Sequence, residues 1–145
     1  MTMTLKEFFL SDRFAMLAKC KLLEIREGYA RASMTVANEH LNGGGVCQGG
    51  ALFTLADLAF AAAVNSHLVL TVSTSSNITY FRSVPLGATV YAEATELVDH
   101  RRIPYAEVRL TDEQGRLVAI FTSSGYRKSD QPLEGVLSPT EGQEK

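Results

Sequence analysis

The sequence predicts a single α+β domain in which one long helix packs on a mainly antiparallel β-sheet. The chain has 145 residues, of which 46% are hydrophobic and 21% are charged, and this is the size and composition of one globular domain. Six stretches alternate apolar and polar residues, as half-buried strands do. One stretch, residues 49–65, is apolar on every side, as a buried helix is.

The N-terminal part predicts a short helix followed by a β-hairpin. Thr4 and Glu7 have the spacing of a capping box ahead of an apolar run, which indicates a helix start. Alternation begins at residue 18 and changes phase once before residue 25, as a β-bulge would cause. Gly28 ends this strand, and the alternating residues 30–36 form the second arm.

Four further alternating stretches follow the apolar helix, and they cover residues 72–81, 88–98, 105–111 and 117–126. Their short separators carry turn residues such as Gly115, and connections this short require antiparallel neighbours. We therefore expect one domain over residues 1–127. Residues 128–145 are mostly polar and contain Pro132 and Pro139, which predicts a flexible C-terminal tail.

Charge and cysteine content argue against several classes of protein. The formal net charge is −2, so the chain lacks the positive charge typical of nucleic-acid binders. No signal peptide is recognisable, and the longest apolar run is shorter than the roughly 20 residues of a membrane span. Cys20 and Cys47 fit no disulfide framework or metal spacing. We expect a cytoplasmic protein with no nucleic-acid partner, no membrane partner and no metal site.

The apolar helix predicts a homodimer at least. A helix that is hydrophobic all round is buried all round, and one sheet cannot cover every side of it. At 1.5 Å per residue, residues 49–65 extend for about 25 Å. We expect the sheet to cover most of this length and a second subunit to cover the remaining flank.

Asp57 is the one charged residue within that helix. An unpaired carboxylate in apolar surroundings costs several kcal/mol or takes a raised pKa. One interpretation is a structural Asp that accepts a hydrogen bond from Thr54, one turn earlier, or from a partner subunit. The other is a general base or nucleophile in a desolvated cleft.

The loop before the helix, residues 40–50, has the sequence HLNGGGVCQGG with five glycines. So many glycines are costly in chain entropy unless the backbone takes positive φ or lies close to another group. The loop leads to the helix N-terminus, whose free N–H groups can stabilise the oxyanion of acyl transfer. A phosphate-binding P-loop pattern is absent, while a flexible capping loop remains an alternative.

Other candidates are weaker. Cys47 has no identifiable His and acid partners, which favours a buried, inert thiol. The three histidines share no metal-ligand spacing. Ser73 lies on a polar strand face that is either solvated or part of a site. Arg82 and Arg102 are either solvated charges or ligands for phosphates.

Residues 40–65, HLNGGGVCQGGALFTLADLAFAAAVN, strongly resemble the loop and central helix of the PaaI-like (phenylacetyl-CoA) subfamily of hotdog-fold acyl-CoA thioesterases. Residues 12–36, 73–87 and 115–128 resemble the other helices and strands of that family. The NxxGxxxGGxxxxLAD pattern followed by an NITY strand is much more specific than the glycines alone. The resemblance implies an antiparallel sheet wrapped around a long central helix, dimers joined edge to edge, commonly tetramers, and active sites between subunits.

The resemblance also implies roles for individual residues. Asp57 matches the catalytic carboxylate, which activates water or attacks the thioester. Gly49 matches the glycine whose N–H polarises the thioester carbonyl. Asn42 matches a loop asparagine that positions the thioester or the water, and Ser73 matches a strand residue near the water.

We expect the substrate to contact Gln48, Gly50, Thr54, Arg82 and Arg102. Thr54 shares a helix face with the catalytic carboxylate and is expected to orient it. Most relatives carry His-Gly-Gly where this chain has Gln48 before two glycines, so an amide that cannot change charge near neutral pH replaces a histidine.

These residues predict an acyl-CoA thioesterase that produces a free acid and CoA. No metal or other cofactor is expected, since CoA is part of the substrate. A non-catalytic acyl-CoA binding or sensing protein is the main alternative. A hydratase or dehydratase would need a histidine working with the acid, and a structural dimerisation domain would leave Asp57 and the glycine loop unexplained.

Overall fold

A six-stranded antiparallel sheet packs around one long helix. The computed structural model describes residues 3–133 and the backbone of residues 137–138. The helices are α1 (Leu5–Phe9), α2 (Arg13–Leu17) and α3 (Gly49–Val64). The strands are β1 (Met3–Thr4), β2 (Lys21–Arg26), β3 (Tyr29–Thr35), β4 (Val69–Tyr80), β5 (Thr89–Val98), β6 (Tyr105–Thr111), β7 (Leu117–Pro132) and β8 (Leu137–Ser138). This architecture confirms the predicted α+β class.

The strand order in the large sheet is β2-β3-β5-β6-β7-β4, and all neighbours are antiparallel. Helix α3 contacts all six strands, so the sheet holds the helix along its length. Strand β4 pairs with β7 on one side and, among the described residues, with no strand on the other. Strands β1 and β8 form a separate parallel pair.

The N-terminal helices form as their caps predict. Thr4 Oγ1 accepts the Glu7 N–H at 3.1 Å, and the Glu7 carboxylate accepts the Thr4 N–H at 2.7 Å, which completes the capping box. The predicted bulge in β2 lies between Leu22 and Glu24. The strand begins at Lys21 rather than at residue 18, because residue 18 caps the end of α2.

Helix α3 is buried on most of its circumference. Leu55, Leu58 and Phe60 have at most 1% of their surface exposed. Its less buried face includes Gly50, Thr54, Asp57 and Ala61, which follow one another at helical spacing. The segment Gly49–His67 is long and apolar enough to cross a membrane, but it is mostly buried by the sheet and is the core helix of this fold.

The last strand is longer than predicted. Strand β7 continues to Pro132 because its end pairs with Val69 at the start of β4. Residues 128–132 are therefore strand, five residues beyond the expected domain end at 127. The remainder of the expected tail lies outside the described residues, apart from residue 133 and the short strand β8.

Candidate active site

Asn42 organises the glycine-rich loop. Its side-chain Oδ1 accepts hydrogen bonds from the N–H groups of Gly44 at 2.9 Å and Val46 at 3.2 Å. The turn is completed by Gly45, whose φ of 80° is a conformation that favours glycine. With Oδ1 occupied by the loop, the Asn42 amide NH₂ has no acceptor within residues 3–133 and is available to a ligand.

The first turn of α3 leaves one N–H group unpaired. Gln48 is the N-cap, and its Oε1 accepts the Gly50 N–H at 2.9 Å. The Gln48 carbonyl accepts the Ala51 N–H at 3.0 Å. No described residue accepts a hydrogen bond from the Gly49 N–H. The Gln48 side chain therefore caps the Gly50 N–H. The Gly49 N–H, at the positive end of the helix dipole, is left for an incoming oxygen.

Tyr80 lies against Gly49 and was not identified from the sequence. The Tyr80 hydroxyl donates to the Gly49 carbonyl at 2.8 Å. A Cβ atom added to Gly49 would lie 2.8 Å from Tyr80 Cζ and Oη, closer than the usual carbon contact of about 3.5–4.0 Å. This close approach gives Gly49 a physical reason to be glycine.

Asp57 lies half-buried in the middle of α3, and a strand residue partners it. The Ser73 hydroxyl, on edge strand β4, donates to Asp57 Oδ1 at 3.3 Å. Burial raises the pKa of Asp57, while the hydrogen bond from Ser73 partly offsets that rise. The structure thus brings together these two predicted residues, and Asp57 carries the raised pKa expected of a desolvated carboxylate.

Thr54 does not orient Asp57, which corrects that expectation. Its hydroxyl donates to the Gly50 carbonyl at 2.9 Å, four residues earlier in the same helix. A threonine inside a helix commonly forms this local bond. The hydroxyl that contacts Asp57 belongs to Ser73 instead, while Thr54 lines a cavity beside the loop.

Two cavities flank the glycine loop. The larger, of about 620 Å³, lies between α2 and the loop, and Asn42, Gln48, Gly50 and Thr54 line it. The smaller, of about 410 Å³, lies on the side of β4, and its lining residues include Asn42, Val46, Cys47, Gly49, Tyr80 and Arg82. Asn42 lines both cavities, so the loop separates two spaces that a ligand can occupy.

The two predicted arginines are in different places. Arg82 lines the smaller cavity with Gly49, as expected of a residue near the ligand. Arg102 lies in the β5–β6 connection, where its Nη1 donates to the Tyr126 hydroxyl at 3.3 Å. Neither cavity beside the loop is lined by Arg102. The structure therefore does not group Arg102 with the other predicted contacts.

Cys47 is a poor nucleophile in this setting. Burial raises its pKa to about 11, so the thiol is protonated at neutral pH. This agrees with the interpretation of an inert thiol. The buried Cys20 has a pKa raised to about 12, again chiefly by burial.

His67, Glu96 and Asp99 lie together away from the loop, at the far end of α3, and their side-chain atoms are close enough to share a metal ion. His67 Nε2 lies 2.8 Å from Glu96 Oε1. However, the Arg127 guanidinium donates to Asp99 at 2.8 Å and lies 3.7 Å from Glu96. A guanidinium already supplies positive charge to both carboxylates, so this cluster is better described as an ion-pair network.

The sequence profile of the thioesterase superfamily matches residues 44–119, just over half of the chain. The chain belongs to the thioesterase superfamily. It is 33% identical over 106 residues to the acyl-coenzyme A thioesterase PaaI of Escherichia coli, with 73% of this chain and 76% of that relative covered.

Solved structures agree with this family. The structure of the E. coli PaaI protein from the phenylacetic acid degradation operon matches with a TM-score of 0.81 and 30% identity, over 84% of this chain and 88% of that one. A hypothetical thioesterase protein from Streptococcus pneumoniae, solved with coenzyme A, matches with a TM-score of 0.78 and 25% identity, over 83% and 94%. The predicted hotdog fold, the PaaI-like group and the class of thioester hydrolase are confirmed.

Proposed function

We propose that this thioesterase hydrolyses acyl-CoA at a site assembled from two copies of the chain. The observation that carries the proposal is the half-buried carboxylate of Asp57, which accepts a hydrogen bond from Ser73 on the less buried face of α3. The unpaired Gly49 N–H at the start of the same helix supplies the complementary group. A carboxylate and an oxyanion-binding N–H are the two parts that thioester hydrolysis needs.

These two groups are too far apart to act together within one protomer. Asp57 follows Gly49 by eight residues in a continuous α-helix, a rise of about 12 Å. Both groups must lie within about 3 Å of the reacting atoms. Asp57 and Ser73 of one protomer therefore act with Gly49 and Asn42 of a second protomer.

The edge strand β4 supports this assembly. It is twelve residues long and exposes the apolar side chains of Val72 and Tyr80. An unpaired, apolar strand edge is a template for another strand, and natural proteins cover such edges. A second copy paired along β4 about a two-fold axis would bring the uncovered faces of the two α3 helices together. A dimer of dimers remains a prediction that light scattering can test.

In the proposed reaction, the thioester carbonyl oxygen accepts a hydrogen bond from the Gly49 N–H, which stabilises the developing oxyanion. Asp57 removes a proton from water as the water oxygen bonds to the carbonyl carbon. The carbon–sulfur bond then breaks, and the proton passes to the departing CoA thiolate. Ser73 positions the carboxylate and the water, and the Asn42 NH₂ donates to the substrate.

The experiment is a thiol-release assay with acyl-CoA substrates. Asp57→Asn keeps the shape of the side chain but removes the base, so we expect kcat to fall about 10²- to 10⁴-fold. Glu24→Gln, on the exposed part of β2, is a matched control and should keep full activity. Equal rates for wild type and Asp57→Asn would remove the proposed catalyst. A single turnover in water labelled with ¹⁸O would distinguish the two routes: attack by water puts the label into the acid product, whereas direct attack by Asp57 gives an unlabelled product oxygen from the carboxylate and leaves the label on Asp57 when water attacks the aspartyl carbon.

The proposal also covers the cofactor, the cellular location and the alternative reaction. The reaction as written uses water alone, so we propose no cofactor, and removal of metal with a chelator should leave the rate unchanged. We propose a cytoplasmic location, which fractionation of cells can test. A hydratase is less favoured because, among the described residues, Asp57 contacts the Ser73 hydroxyl and no histidine.

A further inference from the structure

The larger cavity beside the loop is lined by apolar side chains that the protein leaves uncovered. Phe14 and Leu17 from α2 contribute to its wall, together with Leu41 from the loop and Ala51 from α3. Phe14 is 67% exposed and Leu17 is 78% exposed. Single exposed apolar residues are normal on a protein surface, but these two line one concave space. An apolar ligand seated there would remove both from water.

This cavity adjoins the proposed site. Asn42, Gln48 and Gly50 line it, and they are the residues that surround Gly49 along the loop and the helix start. A thioester whose carbonyl oxygen binds the Gly49 N–H therefore has one of its two arms at the mouth of this space. One arm is the acyl group, and the other is the pantetheine of CoA.

Charge distinguishes the two spaces beside Gly49. The smaller cavity is lined by Arg82, a residue whose guanidinium attracts phosphate groups. The described residues that line the larger cavity include no lysine and no arginine. Their one acidic side chain, Glu39, pairs with the Lys19 ammonium at 2.7 Å. The larger cavity thus offers no unpaired cation to the phosphates of CoA and suits an uncharged, apolar group.

His40 holds the two walls of the cavity together. Its Nε2–H donates to the Ala18 carbonyl at the end of α2 at 2.6 Å, and its Nδ1 accepts the Ala37 N–H at 2.9 Å. The His40 carbonyl also accepts the Gln48 N–H at 2.7 Å. The helix that carries Phe14 is therefore tied to the loop that carries the site, and a fixed cavity can select ligands by size.

We propose that this cavity binds the acyl group of the substrate, and that Phe14 and Leu17 set the largest acyl group accepted. The inference rests on the proposed function, because it assumes that an acyl thioester is the ligand. The volume of about 620 Å³ falls in the range of roughly 300–1,000 Å³ typical of small-molecule pockets. The preferred substrates are medium-length or aryl acyl-CoAs, over acetyl-CoA and over acyl groups with a free carboxylate.

The test compares kcat/KM for acetyl-, hexanoyl-, decanoyl-, phenylacetyl- and succinyl-CoA. Leu17→Ala enlarges the cavity and should raise the decanoyl-to-hexanoyl ratio, whereas Leu17→Trp should lower it. We expect each change to be about tenfold or more, because one methylene in an apolar pocket is worth about 10- to 200-fold. Phe14→Ala should act in the same direction as Leu17→Ala.

Leu10→Ala is the matched control. Leu10 is 59% exposed and apolar, but it does not line the cavity, so the ratio should stay at the wild-type value. Wild-type ratios in all Leu17 and Phe14 variants would overturn the subsite while leaving acyl-CoA hydrolysis intact. An equal change for every acyl chain, and for inhibition by free CoA, would place the pantetheine arm here and overturn the proposal. If wild type hydrolyses none of these thioesters, the proposed function fails, and the subsite fails with it.

Discussion

Asn42 combines a structural role and a chemical role that two substitutions can separate. Asn42→Ala removes the oxygen that accepts the N–H groups of Gly44 and Val46. Two such bonds stabilise the fold by about 1–3 kcal/mol, and the loop is exposed, so the lower end applies. At about 2–4 °C per kcal/mol for a chain of this size, Tm should fall by a few degrees. Asn42→Asp keeps an acceptor in the same position and should melt close to wild type.

Catalysis should respond to both substitutions alike. Both substitutions remove the NH₂ group that is free in the structure, so both should lower kcat, by about 10²- to 10³-fold if that group contacts the oxyanion. Thermal melts and thiol release measure the two effects on the same samples. Asn38→Asp, an exposed position just before the loop, should leave both unchanged. Full activity in Asn42→Asp would refute the chemical role, and a wild-type Tm in Asn42→Ala would refute the structural one.

The surroundings of Asp57, Tyr80 and His67 give further predictions. Burial raises the pKa of Asp57 above its usual value of about 3.9, so kcat/KM should fall about tenfold per pH unit once the pH drops below that raised pKa. The native state then binds the proton more tightly than the unfolded state, so Asp57→Asn should stabilise the protein at neutral pH but not in acid, as urea titrations at both pH values would show. Tyr80→Phe removes the bond to the Gly49 carbonyl and should lower the free energy of unfolding by about 0.5–1.5 kcal/mol, measured by denaturant titration. The hydrogen bond to Glu96 raises the pKa of His67 above about 6.5. The stabilising contribution of His67 is therefore complete below that pH and is lost as the pH rises through the raised value. If the difference in the free energy of unfolding between wild type and His67→Gln does not shrink at alkaline pH, this reasoning is wrong.

Periodicity was sufficient to predict the fold because strands such as β5 and β6 alternate buried and less buried residues. The alternation of residues 105–111 predicted β6 with the bounds that the structure has. The end of β7 was placed too early because Pro132 pairs with Val69 at the start of β4, and pairing between distant segments leaves no signal in either one alone. The start of β2 was placed too early because Ala18, which continues the apolar alternation, is the C-cap of α2.

The candidate site was only partly predictable. Asp57 could be identified because the local sequence alone shows a carboxylate within an apolar helix, and such a carboxylate needs a physical reason. Its contact with Ser73 depends on how β4 packs beside α3, and the family resemblance predicted only that Ser73 lies near the catalytic water. Thr54 was assigned to Asp57 because the two share a helix face, although the carbonyl four residues earlier is a nearer acceptor.

Apolar and aromatic residues near the site gave no sequence signal. Phe14 and Leu17 resemble any core residues of an amphipathic helix, and only the structure shows them exposed beside the loop. Tyr80 ends a strand, and its bond to Gly49 spans 31 residues. Such roles depend on tertiary packing rather than on residue type or spacing.

Complementation between two inactive variants tests most directly whether each site is shared by two protomers. Asp57→Asn and Asn42→Asp chains carrying different tags are unfolded together, refolded, and assayed against each variant alone. If Asp57 of one protomer acts with Asn42 and Gly49 of the other, a mixed dimer has one intact site, and random mixing should restore about a quarter of wild-type activity. Mixed dimers that form but stay as inactive as the parent variants would contradict the shared site.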